Sequence, residues 1–146
     1  PVLGTNPAEK LLTNGIRGSL KYSDFEWCSW ADNDSVSFTI DLLKPEMLNT
    51  LILGCITNNG MAIHKPASVR VEVSDDNSKF REAVVQSFTS EEIFREGNFI
   101  ENLSLKLGGT QARYVRVTAK GPGVCPASHV RPGQTSRIFF DEVMLE

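Results

Sequence analysis

The sequence has no long apolar run. Nowhere do its 146 residues approach the roughly 18 consecutive apolar positions of a membrane-spanning helix, so membrane insertion is not expected. Clustered positive charge is missing too. The 15 Lys and Arg are scattered among 18 Asp and Glu, giving a net charge of −3, which leaves no electrostatic footprint for nucleic acid. Cysteine is confined to Cys28, Cys55 and Cys125, an odd number without tight spacing that defines no disulfide framework. There is no internal repeat, no low-complexity tract and no sustained helical period. Catalytic signatures are absent as well: no serine-centred elbow, no phosphate loop and no evident pair of catalytic carboxylates. The sequence therefore does not read as an enzyme. Cys125 and His129, four apart, offer two zinc ligands, but Cys28, Cys55 and His64 show no ligand spacing to complete a site.

What the sequence does have is period-two alternation between turn signals. Val36, Phe38, Ile40 and Leu42 alternate with Ser37, Thr39 and Asp41 before Lys44-Pro45, which predicts a strand over 35–43. Residues 50–57 form a short apolar run interrupted by Gly54, consistent with a buried strand carrying a bulge or a close approach. Val69, Val71 and Val73 alternate with Arg70 and Glu72, and Asp75-Asp76-Asn77-Ser78 supplies turn chemistry, so 68–74 and 80–88 are expected to form a hairpin. Residues 98–107 read as a further strand, turned by Gly108-Gly109-Thr110 into a strand at 112–119. A last strand covers 137–146. Single helical turns are expected at 7–12 and 90–95, and a turn at 32–34. The total is about eight strands, the pattern of an all-β antiparallel sandwich or jelly roll. Its length and about 40% apolar content suit one domain spanning 1–146. Pro1 opens the chain with neither a signal peptide nor an initiator Met, so the start is expected to be a cut in a longer protein.

Between the last two strands, residues 120–136 carry three glycines, three prolines, Cys125, His129 and Arg131. A breaker-rich loop of that length on a β scaffold is where binding is usually found.

Several segments, in order, carry a family likeness. They are Leu12-Thr13-Asn14-Gly15, Ile40-Asp41-Leu42, the stretch from Val73 through Asp75-Asp76-Asn77 to Phe80, and Ala112-Arg113-Tyr114-Val115-Arg116-Val117. The most specific is Gly123-Val124-Cys125-Pro126-Ala127 with His129, followed by Phe140-Asp141-Glu142-Val143. In these the chain resembles a carbohydrate-binding module of family 32, the coagulation factor 5/8 type C or discoidin-like domain. Within that family it resembles the version found at the C-terminus of bacterial family 20 β-hexosaminidases.

The resemblance implies a non-catalytic, galactose-binding-domain-like jelly roll that binds glycans through loops at one end of the sandwich. It also implies a structural calcium near the chain termini, a parent glycoside hydrolase catalytic domain as partner, and a bacterial periplasmic, cell-surface or secreted location. Two departures stand out. Ser128 and Arg137 occupy positions where the subfamily carries aromatic residues, and Asn14 replaces the opening aspartate.

A sugar presents apolar C–H faces and polar edges, so its site needs an aromatic platform ringed by hydrogen-bonding groups. Trp30, Asn59, His64, His129, Arg131 and Arg137 are the expected carbohydrate-binding residues. Of the two tryptophans, Trp27 is the one expected to seal the core. Asn14 and Glu142, with carbonyls of the 15–19 loop, are the expected calcium ligands, tying the first loop to the last strand. The alternative reading is a structural or protein-interaction module that packs against its parent catalytic domain without binding sugar.

Overall fold

Alternating Val, Ile and Leu positions are satisfied only when one face of each strand is covered, and the chain achieves this by doubling its longest strands over themselves. The computed structural model describes residues 12–30 and 35–146. The helical turn expected at 7–12 and the turn at 32–34 fall almost wholly outside these. Among the described residues the strands are β1 (Cys28–Ser29), β2 (Ser35–Asn58), β3 (Ser68–Ser74), β4 (Arg81–Ser87), β5 (Asn98–Lys120) and β6 (Phe139–Leu145). They form one antiparallel sheet in the order β1-β6-β2-β5-β3-β4.

The seven ranges read as strands become five, because two pairs are continuous, and the short β1 is the sixth. β2 and β5 pair along their whole lengths, from Ser35↔Lys120 to Asn58↔Asn98, with register shifts between Asp41 and Glu46 and between Leu48 and Thr50. Lys44-Pro45 therefore does not end a strand. The chain bends there through Leu43, at φ 70°, and again at the second register shift, where Asn49 faces Gly108 and Gly109 at φ 69° and 74°. Glycine meets that left-handed conformation without the Cβ clash a larger residue suffers, and neither strand changes partner.

The corner divides the sheet into two layers. In one, residues 35–41 of β2 and 114–120 of β5 continue into β3 and β4. In the other, 98–106 of β5 and 50–58 of β2 continue into β6 and β1. Val69, Val71, Val73, Val115 and Val117 from the first pack with Leu51, Leu53, Leu103, Leu105 and Phe140 from the second in one buried cluster. Burying each such side chain stabilises the fold by about 1.5–3 kcal/mol. The result is an all-β, discoidin-like jelly-roll sandwich.

The second layer has a covered outer face as well. Trp27, Ile56, Ile63 and Phe139 form a separate buried cluster, with Tyr22 and Met61 against it. Trp27 is fully buried and donates Nε1–H to the Ser19 carbonyl at 2.9 Å, so it is the tryptophan that seals the core. Residues 12–26 strap this face. Asp141, fully buried, accepts from Arg17 Nε at 2.8 Å and from the Gly18 amide at 2.9 Å. A Cβ at Gly54 would collide with Asp141 Oδ1 and the Arg17 guanidinium, and β2 shifts register against β6 between Leu53 and Cys55. Close approach and irregular pairing thus coincide at Gly54. Cys55 is buried and free, packed in the main core.

Among the described residues, three connections between the layers leave from the same end. Residues 59–67 join β2 to β3, 88–97 join β4 to β5, and 121–138 join β5 to β6. The β3–β4 hairpin and the corners of β2 and β5 occupy the opposite end. Local chemistry thus sends three loops rich in His, Phe, Asn and Arg to one place.

Candidate functional site at the crossing-loop end

The three crossing loops are tied to one another by backbone and side-chain bonds. His64 N–H donates to the Arg137 carbonyl at 3.0 Å, and Arg137 N–H to the Ala62 carbonyl at 2.9 Å. The long loop is itself a small closed structure. Val124 bridges Thr135, Cys125 N–H reaches the Gln134 carbonyl at 2.8 Å, and the Gly133 amide reaches the Cys125 carbonyl at 2.9 Å. In 88–97, Thr89 and Glu92 form a reciprocal capping box that starts the short helix α1 (Ser90–Ile93). Such a box satisfies two otherwise unpaired amides. Ile93 is buried beneath it, and Phe94, the residue that ends the helix, is turned toward the other loops.

Three rings meet where the loops meet. His64 and Phe94 are edge to face with centroids 5.0 Å apart, His64 and His129 likewise at 5.0 Å, and Phe94 and His129 at 6.2 Å. His64 Nε2 lies 3.0 Å from His129 Nε2. Burial and the neighbouring His129 push the His64 pKa down to about 4, so the ring is neutral at physiological pH. Asn59 completes the group: its Oδ1 accepts the Gly97 amide, and its Nδ2 lies 3.2 Å from His129 Nε2.

Above the rings is a shallow concavity of about 140 Å³ lined by Asn59, Phe94, Glu96, Pro126, Ser128 and His129, with Val130 at its side. It offers one aromatic ring, an amide, a carboxylate, a hydroxyl and an imidazole at the surface.

The sequence-predicted residues fall in different places. Asn59 and His129 line the concavity. His64 is fully buried under them and presents no surface of its own. Arg131 is exposed but engaged, donating to the Gly60 carbonyl and, at 3.3 Å, to Gln134 Oε1, while its amide donates to His129 Nδ1 at 2.9 Å. It braces the loop. Arg137 is half-buried with its guanidinium 5.4 Å from the centroid of Phe139, on the face that Trp27 seals. Trp30 is half-buried just past the edge strand β1, edge-on to Phe140 at 5.8 Å and packed on the main core, and is not gathered with the histidines. Phe94, Glu96 and Ser128 were not among the expected binding residues. The capping box Thr89-Ser90-Glu91-Glu92 marks where the helical turn starts, but nothing in the sequence aims Phe94 at the other loops.

At the expected calcium position, Asn14 and Glu142 are brought together, since Glu142 Oε2 accepts the Gly15 amide at 3.1 Å. Glu142 is buried with its pKa raised, first by burial, although the Gly15 and Ile16 amides and the Arg17 charge oppose the shift. A buried carboxylate that burial still pushes toward its neutral form fits a cation. Asn14 fits less well: its Oδ1 accepts the Ile16 amide at 2.8 Å and its Nδ2 donates to Glu26 at 2.9 Å.

Two antiparallel layers with their crossings gathered at one end, and a polar, ring-lined concavity there, define a jelly-roll module of the discoidin type. The model of the F5/8 type C domain matches residues 3–131, and the chain belongs to that family. No curated protein matches it. Among solved structures it is similar to the CpGH89CBM32-6 module of Clostridium perfringens, at 15% identity and TM-score 0.57, covering 97% of this chain and 88% of that one. It is also similar to the CBM32 of AlyQ, solved with 4,5-unsaturated mannuronic acid, at 18% identity and TM-score 0.57, covering 94% and 84%. A third is CpGH89CBM32-5 of Clostridium perfringens, solved with GalNAc-β-1,3-galactose, at 16% identity and TM-score 0.50, covering 78% and 67%. At these identities the likeness is one of fold. The neighbours are carbohydrate-binding modules.

Proposed function

We propose that this chain is a non-catalytic carbohydrate-binding accessory module of a periplasmic, cell-surface or secreted glycoside hydrolase of the β-hexosaminidase kind. It holds the catalytic domain near glycans ending in galactose or N-acetylhexosamine. The observation that carries this reading is the concavity where Phe94, His129 and Asn59 from three crossing loops converge. Phe94 meets the apolar face of a sugar ring, while Asn59, His129, Glu96 and Ser128 address its hydroxyl or acetamido edge. A site this small takes one terminal residue, giving weak, reversible binding. Calcium, if bound by Glu142 and Asn14, fastens the strap to β6 and contributes stability at a distance from the sugar. A rise in Tm with Ca²⁺ that is reversed by chelation and absent in Glu142→Gln is the expected result.

The test of the main reading is a glycan array probed with the folded module in calcium, followed by titration of any hit against Phe94→Ala and His129→Ala. Loss of at least tenfold in affinity in both supports the assignment. Silence across galactosides and hexosaminides overturns it.

One observation favours the alternative of a module packed on its parent catalytic domain. Ile16, Leu20 and Phe25 in the strap are 51%, 52% and 79% exposed, an apolar set that a neighbouring domain would cover.

A further inference from the structure

His64, Cys125 and His129 come from two loops that are far apart in sequence, and the fold gathers them. Their ligand atoms all lie within 4.8 Å of one another, the one group of three His, Cys, Asp or Glu side chains so gathered among the described residues. His64 and Cys125 are buried, and His129 is half-exposed at the concavity. We propose that these three side chains form a mononuclear Zn²⁺ site whose fourth position opens onto the crossing-loop concavity.

The donor set has the right chemistry. Two imidazoles and one thiolate suit zinc, which takes nitrogen at about 2.0–2.1 Å and sulfur at about 2.3 Å in tetrahedral geometry. Those bonds place two nitrogens about 3.3 Å apart, and nitrogen and sulfur about 3.6 Å apart. The observed 3.0 Å between the two Nε2 atoms is close to the first of these.

The hydrogen-bond pattern supports a ligand as well. Arg131 N–H donates to His129 Nδ1, so without metal the ring proton of His129 sits on Nε2 and points to His64. The Asn59 amide approaches that same Nε2 at 3.2 Å, setting donor against donor. The proton of His64 is left on Nδ1, where the Ile93 carbonyl is close enough to favour it but does not complete a hydrogen bond. Buried polar groups are rarely left so poorly matched. A cation between the two Nε2 atoms would take the place of the His129 Nε2 proton and make both rings ligands of one ion.

On binding, Cys125 gives up its thiol proton, which burial otherwise holds on. The ring proton of His129 moves to Nδ1, and the Arg131 N–H contact opens. His64, already neutral, has no proton to lose from its ligating nitrogen.

The experiment uses reduced protein stripped of metal and titrated with Co²⁺ as the probe, then with Zn²⁺. One equivalent of Co²⁺ should give the intense visible bands of a tetrahedral ion and a near-ultraviolet thiolate band. Both should vanish when Zn²⁺ displaces it. Cys125→Ser should lose the thiolate band, His129→Gln should weaken Co²⁺ binding at least tenfold, and the Arg131 amide should move in the NMR spectrum of the Zn²⁺ form. Cys28→Ser and Cys55→Ser, should either fold, should keep the bands. Folded wild type without the bands at excess Co²⁺, or bands that survive in both Cys125→Ser and His129→Gln, overturns the proposal. No sugar enters the readout, so the outcome stands apart from that of the glycan array.

Discussion

Asp141 and His64 are both fully buried polar side chains held where a loop meets the second layer, yet they are treated differently. Asp141 Oδ2 accepts from Arg17 and from the Gly18 amide, with Gly54 kept bare to make room for the carboxylate. His64 shares a single proton with His129 and has no completed bond at Nδ1. Around the first, Trp27 and Phe139 shut out water. Around the second, His129 and Phe94 reach a concavity open to solvent. At the strap the buried carboxylate is held by a cation and an amide, with Oδ1 alone left without a partner, whereas at the crossing-loop end the buried imidazole leads through His129 to a surface concavity. That is the difference between a structural contact and a site.

If this contrast holds, changes in the strap alter stability and spare binding, and changes at the loop end do the reverse. Trp27→Ala empties the outer-face cluster and should cost about 3–5 kcal/mol by denaturant unfolding, with glycan affinity per folded molecule unchanged. Gly54→Ala drives a methyl group into Asp141 and Arg17 and should cost about 2–3 kcal/mol. Phe94→Ala should cost only about 1 kcal/mol in stability, because the ring is half-exposed, while lowering glycan affinity at least tenfold. A large fall in glycan affinity in Gly54→Ala would break the comparison.

The smallest effect is expected at the far corner, where Arg113 donates twice to Asp41 at 2.8 and 2.9 Å and holds its pKa at about 2. Because the folded pKa lies below the ordinary 3.8, the contribution is present above that value and is lost as the pH falls through about 2. Arg113→Leu should therefore lower the urea midpoint slightly near neutral pH, and the two proteins should converge in strong acid. Both groups are solvent-exposed, so salt should shrink the difference.

How much of this was legible in the chain follows from what is local. The hairpin of β3 and β4 could be read directly, since valine alternation and the Asp75-Asp76-Asn77 turn are both short-range; Asp76 Oδ1 accepts the amides of Ser78 and Lys79 at 2.9 Å. The continuity of β2 and β5 could not. Lys44-Pro45 and Gly108-Gly109 are breakers in one dimension, and only the pairing shows that the strands bend there without separating. At the site, His129 stood out because its loop is breaker-rich, and Asn59 because it follows an apolar strand. Phe94 and the burial of His64 depend on where three loops land together, which is set by topology rather than by spacing. Trp30 was expected in the site on residue type alone, and its packing against Phe140 places it on the core instead. The same limit hid the third member of the Cys125 and His129 pair. His64 lies in a different crossing loop, so no ligand spacing could announce it.

The most direct test is an NMR titration of the isotope-labelled module with a terminal N-acetylhexosamine or galactose disaccharide. Saturable shifts confined to the amides of Asn59, Phe94, Glu96, Ser128 and His129 are the predicted result. Shifts centred on the strap or on Trp30, or none from a folded protein at high sugar concentration, would contradict the assignment of the crossing-loop end as the binding site.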